Sequence, residues 1–517
     1  MIRRLLPANR IAVAMILLAS TAALSIAIGS RGFWDPAELP PDGREAFASL
    51  LAPLGWGARP PLRDALVAIF SLPIERANEA VARAPSLLGA LFLVGIGTVS
   101  AARRAGTIGA VAAATMIVAS PLFFHAAQWG GPTMLSGAFS ALASLAALAA
   151  AFPPPALDRS RHAGAWALAA TAAAFLAGGF DALLVAVVPA VAAAILGDRE
   201  LRSRRLSALA APSALAVVLI GLGAVAILAG EPARPPRSPL VVAPAFLSVL
   251  GMAVVLPLAR AYVLHRRLRE TSFDPAARAI ALVVIIAASP LVLRDPAAGL
   301  LAAHVIGAVL LAEAAIESTN PQSGFRPGKK LYLPIALAGL AYAAGGALAG
   351  FLAAEYGAVP VPVSIALAAA GVAAAAAAAA TPRFAARISA LGVVALLVGA
   401  FTRAEVLPLF DWNRSADGLV AAAEEEASLA GTPLVVFAPD APLVAAALEK
   451  RGTAAETTTD PVVLFTRLTG EAPVAALMGD HTYRRARAAD ATLAIHVRHV
   501  ATVGRARYLV VSNRPGS

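Results

Sequence analysis

The sequence predicts a polytopic α-helical membrane protein that carries a small α/β domain at its carboxyl end. Of its 517 residues, 59% are hydrophobic and only 14% are charged, whereas globular domains contain roughly 25% charged residues. The mean hydropathy is +0.75. Many alanines and few aromatic residues (6%) favour closely packed helices over a barrel of alternating strands.

Apolar runs long enough to cross the roughly 30 Å hydrocarbon core recur along the first 402 residues. The first, residues 11–30, follows the basic stretch "MIRRLLPANR" in the manner of a signal peptide, but its length and the runs behind it favour a retained first helix. With that first run the chain has roughly 13 predicted spans. The others lie near residues 85–101, 107–124, 132–152, 164–180, 182–197, 206–229, 241–263, 277–293, 297–317, 331–353, 361–380 and 386–402.

The connections between these runs predict the orientation of the chain. Six connections rich in Lys and Arg all fall on the side of the N-terminus, namely "AARRAG", "LDRSRHAG", "GDRELRSRR", "LHRRLRE", "FRPGKK" and "TPRFAAR". The positive-inside rule therefore places the N-terminus in the cytoplasm, and an odd number of spans places the carboxyl segment outside. These loops also account for the net charge of +11, so the sequence gives no reason to expect nucleic acid binding.

Two segments are predicted to lie outside the membrane. The first is the loop 31–84, in which "PPLRDALVAIFSLPIERANEAVARAP" is typical of short amphipathic helices at the membrane surface. The second is residues 403–517, a predicted α/β domain. Its strands are expected in "TPLVVFAP", "APVAALMG", "TLAIHVRHV" and "ARYLVVS", and one helix in "DAPLVAAALEKRG". The chain has no cysteine, so disulfides and thiolate chemistry are excluded.

The common soluble-enzyme motifs are absent. The sequence contains no GxxxxGK[ST], HExxH or GxSxG pattern. His496 and His499 are three residues apart in a predicted strand, a spacing that directs the two rings to opposite faces and argues against a shared metal. We therefore expect no metal and no cofactor.

Charged residues within membrane segments are costly and are candidates for function. The sequence predicts Asp181 at an external turn, Glu313 and Glu317 near the cytoplasmic end of a span, and His304 deeper in the same span. A proton-coupled transporter needs such groups near the membrane midplane, and only His304 fits that depth.

The external loop offers a different chemistry. Asp35 follows the first span directly, beside Trp34, whose ring favours the membrane interface. A carboxylate at that boundary can act as a general base on a lipid-borne substrate. Arginines in the same loop suit phosphate binding, because the planar guanidinium donates paired hydrogen bonds. A solvated charged loop is the alternative interpretation.

The order of features from Trp34 to Ala151 resembles the GT-C glycosyltransferases of the dolichyl-phosphate-mannose mannosyltransferase and aminoarabinose transferase type. "FWDPAEL" is similar to their "WDEAxY" signature after the first span, and "ARPPLRDALVAIFSLPIERANEAVARAPSLLGAL" to their "KPPLYYWLxAL…GxNExAxRLPSALxGL" stretch. "ASPLFFHAAQWGGPTMLSGAFSALASLAALAA" and "AAAFLAGGFDALLVAVVPAV" also match family patterns. The external first loop and external α/β domain fit the family architecture as well.

The resemblance implies an inverting glycosyltransferase of the bacterial inner membrane that uses a polyprenyl-phosphate sugar donor on the periplasmic side. Asp35 takes the place of the catalytic base, and Arg59 that of the lysine before "PPL", which holds the donor phosphate. Arg83 matches the arginine of "RLPS", with a role in ligand contact or in loop order. Glu38 lies within the motif and is a substrate-binding candidate. The implied acceptor is lipid A, a polysaccharide or a protein.

Several positions depart from the family pattern. Pro36 replaces the second acid of "DE", Arg63 and Asp64 replace an aromatic pair, Thr133 replaces an acid, and Gly178 replaces the lysine of "TKGP". These losses keep two alternatives open. One is a transporter or flippase for a lipid-linked substrate, and the other is a non-catalytic envelope assembly protein with the same fold.

Overall fold

A computed structural model describes most of the chain. The described residues are 7–25, 39, 60–72, 78–118, 120–152, 163–197, 199–228, 255–266, 274–355, 369, 372–373, 376, 383–437, 441–489, 494–503 and 506–514. The chain divides into two compact units, the first comprising residues 1–26 and 40–402 and the second residues 27–39 and 403–517.

The first unit is a bundle of helices. In chain order they are α1 (Pro7–Ser25), α2 (Leu62–Ser71), α3 (Glu79–Val118), α4 (Pro121–Gln128), α5 (Thr133–Ala151), α6 (Ala163–Leu196), α7 (Arg199–Ala208), α8 (Ala210–Leu228), α9 (Asp274–Val292), α10 (Pro296–Thr319), α11 (Lys329–Glu355) and α12 (Phe384–Phe401), with a further helical segment at 255–266. Seven of the described helices are long and apolar enough to cross a membrane, or eight if the bent pair α7 and α8 forms one span. The chain is a multi-pass membrane protein.

Two of these long helices contain a break at or near a connection that the sequence predicts. In α3 the backbone leaves helical geometry at Ala105 and Gly106, the latter with φ +59°, between the predicted spans 85–101 and 107–124. In α6 it does so at Gly179, with φ +64°, two residues before the predicted connection between the spans 164–180 and 182–197. Glycine carries this backbone conformation without a Cβ penalty. The count of 13 spans stays a prediction, because several predicted runs lie partly or wholly outside the described residues.

One predicted boundary is wrong. The last residues of the predicted loop 31–84 are helical, as their sequence pattern indicates, because α3 begins at Glu79. Asn78 starts the helix there, since its Oδ1 accepts a hydrogen bond from the Val81 N–H (3.0 Å) and so satisfies a donor that has no intrahelical partner. The predicted span 107–124 is interrupted at Ser120, whose extended backbone separates α3 from α4.

Helix α10 is the centre of the bundle. Nearly every residue from Ala297 to Ala315 is buried, and the helix packs against α3, α5, α9 and α12. Small residues allow the close approach, as at Gly137 of α5, where a Cβ would lie 2.9 Å from the Leu301 Cβ and 3.1 Å from the Ala298 carbonyl oxygen. This packing is typical of membrane helices, which gain little from apolar burial in lipid and depend on tight contact.

The second unit is a three-layer α/β domain. Its elements are α13 (Leu407–Arg414), α14 (Ala416–Ala430), β1 (Leu434–Phe437), α15 (Pro442–Arg451), β2 (Ala455–Thr457), α16 (Pro461–Thr469), β3 (Ala475–Gly479), α17 (Asp480–Ala489), β4 (His496–Val503) and β5 (Ala506–Ser512). The sheet order is β2-β1-β3-β5-β4, with β1 parallel to both β2 and β3, and β5 antiparallel to β3 and β4. All four predicted strands and the predicted helix are present, whereas β2 was not predicted. Leu39 packs on the core of this unit.

The prediction that His496 and His499 point to opposite faces of the sheet is wrong. A β-bulge between Val497 and His499 inserts one extra residue, so His496 lies opposite Ser512 and His499 opposite Val510. Ser512 and Val510 are two residues apart in β5 and therefore share a face. Both histidines consequently lie on the same face. Among the described residues no group of three or more His, Cys, Asp or Glu side chains is placed to hold a metal ion.

Candidate functional site

One end of the bundle contains a buried cluster of polar side chains. It is formed by α2, the first turns of α3 and the connection 129–132 between α4 and α5. Arg83 is only 1% exposed and Arg63 5% exposed, and Glu79 is also buried. Glu79, Arg83 and Ser86 lie on one stripe of α3, because residues four and seven apart in a helix share a face. The formal charges of the cluster balance, because Arg63 and Arg83 are matched by Glu79 and Asp64.

Side chains of both α2 and α3 donate hydrogen bonds to the backbone carbonyls of the turn 129–131. Arg63 donates from Nε to the Gly130 carbonyl oxygen at 2.8 Å. Ser86 donates from Oγ to the carbonyl oxygens of Trp129 (2.5 Å) and Gly131 (3.1 Å). Two side chains from different helices thus contact three consecutive carbonyls of the turn, and the single hydroxyl hydrogen of Ser86 is shared between two of them.

Arg63 also pairs with its neighbour Asp64, at 3.0 Å between Nη1 and Oδ1. The sequence marks these two residues as departures from the family pattern, in place of an aromatic pair. The structure shows that the guanidinium occupies a buried position with a defined hydrogen-bonding role. A contact across 67 residues leaves no local signal in the sequence that could have revealed it.

Only one of the four predicted site residues lies among the described residues. Arg83 is at the centre of the polar cluster, on the stripe of α3 that carries Ser86. Asp35, Glu38 and Arg59 lie outside the described residues, so their roles stay predictions. Arg59 directly precedes Pro60 and stands four residues before Arg63 in the chain.

Two further departures from the family pattern border the cluster. Thr133 is buried at the first turn of α5. Gly178 packs so closely against α5 that a Cβ there would lie 2.0 Å from Ser136 Oγ and 2.8 Å from Ser136 Cβ. The position therefore admits no side chain while Ser136 is in place, and the loss of a lysine there is part of the packing between α5 and α6.

Asp181 and Asp295 meet near the same end of the bundle. Asp181 Oδ2 accepts a hydrogen bond from the Asp295 backbone N–H at 2.6 Å, and Asp295 Oδ1 accepts one from Ala298 N at 3.4 Å, at the start of α10. Asp181 thus fixes the turn between α9 and α10.

The opposite end of α10 carries a buried ion-pair network. Arg278 binds Glu313 through two bonds, Nη1 to Oε1 at 2.7 Å and Nη2 to Oε2 at 3.0 Å. Arg104, beside the break in α3, lies 3.6 Å from the same carboxylate. Glu317 pairs with Arg266 from segment 255–266. Because Asp295 and Glu313 lie at opposite ends of α10, this network is separate from the polar cluster.

His304 lies between these two ends. Its side chain is buried, and its Nε2 lies 2.6 Å from the Met116 carbonyl oxygen. Met116 is in the last turn of α3, where carbonyls lack intrahelical partners. The imidazole therefore caps the end of α3.

The fold, a multi-pass helical bundle followed by a small α/β domain, is shared with solved structures. Two crystal structures of ArnT from Cupriavidus metallidurans, a GT-C glycosyltransferase, share this fold. The predicted resemblance is thus confirmed at the level of the fold.

The similarity extends over nearly the entire length of both chains. The apo structure of ArnT is 18% identical, with a TM-score of 0.58, and the match covers 97% of this chain and 98% of that one. The structure bound to undecaprenyl phosphate is 18% identical, with a TM-score of 0.57 and 98% coverage of both chains. No family model and no curated protein matches the sequence.

Proposed function

We propose that this protein is an inverting glycosyltransferase that moves one sugar from a polyprenyl phosphate to an acceptor in the cell envelope. The observation that carries the proposal is the fold shared with ArnT along the whole chain, since one of those structures contains undecaprenyl phosphate. The charge asymmetry of the loops supports a cytoplasmic N-terminus and a reaction on the periplasmic side of the inner membrane. Lipid A, a polysaccharide or a protein hydroxyl is the acceptor.

In the proposed reaction the acceptor oxygen attacks the anomeric carbon of the donor sugar. The bond from that carbon to the phosphate oxygen breaks, and the electron pair leaves with the polyprenyl phosphate. Asp35 takes the acceptor proton as general base. Arg59 and Arg83 stabilise the charge that develops on the departing phosphate, a contribution that is often the largest in such reactions. Glu38 contacts the substrate. The scheme requires no metal ion and no cofactor.

The burial of Arg83 supports its role. A guanidinium in a water-poor site interacts more strongly with an anion than one in bulk water, because the effective dielectric constant is lower. Its planar fork can bind two phosphate oxygens at once. The start of α3, with Asn78 as its cap, holds this side chain on a rigid element.

The test is transfer from a radiolabelled polyprenyl-phosphate sugar by the purified full-length protein in nanodiscs. We expect turnover by the wild type. Asp35→Asn should lower kcat by about 10²–10⁴-fold, the usual contribution of a general base. Asp42→Asn, which removes another acid of the same loop, serves as the matched control and should retain the activity.

Three outcomes contradict the proposal in different ways. Full activity of Asp35→Asn would remove that residue from the catalytic role. Movement of the labelled lipid across the bilayer without transfer would identify a flippase. If the folded protein neither transfers the sugar nor moves the lipid, the result would favour the non-catalytic assembly protein.

A further inference from the structure

We infer that the turn 129–131 is a positioning element for the donor phosphate, and that Arg63 and Ser86 are the residues through which it acts. This inference rests on the proposed function, because it assigns those residues to the donor site proposed above. Arg63 replaces an aromatic residue of the family pattern, so the sequence alone gave it no role.

The turn joins α2 to α3, and α3 carries Arg83, the one proposed phosphate-binding arginine among the described residues. Ser86 lies three residues after Arg83 on the same stripe of α3 and is fully buried. Its hydroxyl carries one hydrogen, shared between the carbonyls of Trp129 and Gly131. The position of Arg83 along the axis of α3 is thereby fixed relative to the turn.

Arg63 fixes α2 to the same turn. It is the second residue of α2 and its Nε donates to the Gly130 carbonyl oxygen, between the two carbonyls that Ser86 binds.

The turn is closely packed around the carbonyls that these bonds reach. Trp129 is buried, and a Cβ at Gly131 would lie 3.0 Å from the Trp129 ring. Each carbonyl of the turn is therefore held in a packed setting, where an unsatisfied acceptor is costly. Loss of one anchor should shift the turn against α3 and so displace Arg83, which lies on the same stripe as Ser86.

The chemistry of the Arg63 side chain allows a sharp test. Glutamine places its amide nitrogen on Cδ, the position that Nε occupies in arginine, so Arg63→Gln retains a donor toward Gly130 and loses the charge. Arg63→Met retains the apolar stem and loses the donor as well. Asp64→Asn is the control for the loss of the adjacent ion pair. Ser86→Ala removes the second anchor.

The experiment measures binding of undecaprenyl phosphate alone to the full-length variants in nanodiscs, with the thermal midpoint of each variant recorded in parallel. Arg63→Met should weaken binding by about tenfold or more, as expected for loss of one hydrogen bond from a charged donor. Arg63→Gln and Asp64→Asn should stay within about threefold of the wild type. The double variant Arg63→Met with Ser86→Ala should lose less than the product of the two single effects, because both anchors hold one turn.

The inference is overturned if Arg63→Gln binds as weakly as Arg63→Met, since the charge and not the bond to Gly130 would then matter. If Arg63 had a purely structural role, Arg63→Met would lower the thermal midpoint and the fraction of active protein. The dissociation constant of the active fraction would stay unchanged, and that result would also overturn the inference. Absence of wild-type binding overturns it too. Binding by the wild type without sugar transfer would refute only the proposed function, and the comparison of the variants would still decide the inference.

Discussion

The contact between Gly178 and Ser136 yields a quantitative prediction about the packing of α6 on α5. A Cβ at Gly178 would lie 2.0 Å from Ser136 Oγ and 2.8 Å from both Ser136 Cβ and Ala182 Cβ. Ordinary contact begins at 3.4 Å, so the Oγ is too close by 1.4 Å. The hydroxyl can rotate away, but the two Cβ atoms are fixed to backbone and cannot.

Gly178→Ala should therefore lower the free energy of unfolding. Overpacking of a dense core costs about 1–3 kcal/mol. The higher helix propensity of alanine offsets up to about 1 kcal/mol of that cost. We expect a net loss of about 1–2 kcal/mol. Gly164→Ala in the same helix is the matched control, because a Cβ there meets nothing within 4 Å, and it should be neutral or slightly stabilising.

The assay is reversible unfolding in detergent, monitored by circular dichroism, together with a double-mutant series. Ser136→Gly should rescue most of the loss caused by Gly178→Ala, and Ser136→Ala only part of it, because Ser136→Ala retains the Cβ at 2.8 Å. If Gly178→Ala is as stable as Gly164→Ala, or if Ser136→Gly gives no rescue, the packing argument is wrong.

Three further predictions concern single interactions. Glu313→Gln should cost about 3–5 kcal/mol of unfolding free energy, measured by chemical denaturation, because it leaves Arg278 as a buried charge without its bidentate partner. Asn78→Ala should cost about 0.5–2 kcal/mol in the same assay through loss of the helix cap. Burial raises the pKa of Glu424, but hydrogen bonds from Arg451 and a neighbouring threonine outweigh burial and leave it below the ordinary value. The ionised Glu424 side chain therefore stabilises the fold fully above the pKa of an unfolded glutamate, and this stabilisation is lost as the pH falls through the lower pKa of the folded state. Glu424→Gln should consequently flatten the acid limb of the pH–stability profile.

The second unit offers a control for the first of these predictions. Asp480 pairs with Arg484 on an exposed face of α17, where the arginine side chain is 70% exposed. Asp480→Asn should cost less than about 1 kcal/mol, as is usual for surface pairs. If Glu313→Gln costs no more than Asp480→Asn, burial does not strengthen the Arg278 pair. An unchanged acid limb in Glu424→Gln would contradict the assignment of that pKa.

The sequence predicted the elements well where local pattern controls them. Apolar runs located α5, α9, α10, α11 and α12 to within a few residues, because lipid imposes a minimum length on each span. Alternating and apolar stretches located four of the five strands. The breaks at Gly106 and Gly179 lie at or within two residues of predicted connections, since glycine permits the backbone angles that a break requires.

The sequence was less informative where the answer depends on a partner far along the chain. The bulge before His499 reverses the predicted face of that residue, because one inserted residue shifts the alternation of a strand. In the sequence, Arg63 is only a departure from a family pattern. The structure shows that its Nε donates to the carbonyl oxygen of Gly130, which is 67 residues away in the chain.

By itself, the sequence determined the class of this protein: a multi-pass helical membrane protein with a carboxyl-terminal α/β domain and a resemblance to GT-C glycosyltransferases. Composition and hydrophobic period suffice for the fold class, because the bilayer requires each span to satisfy its own backbone hydrogen bonds. The resemblance depends instead on the motifs between Trp34 and Ala151. Only the tertiary structure decided which polar residues meet. The close contact of Gly178 with Ser136, and the anchoring of Arg63 and Ser86 on one turn, depend on distances between helices, which no local pattern encodes.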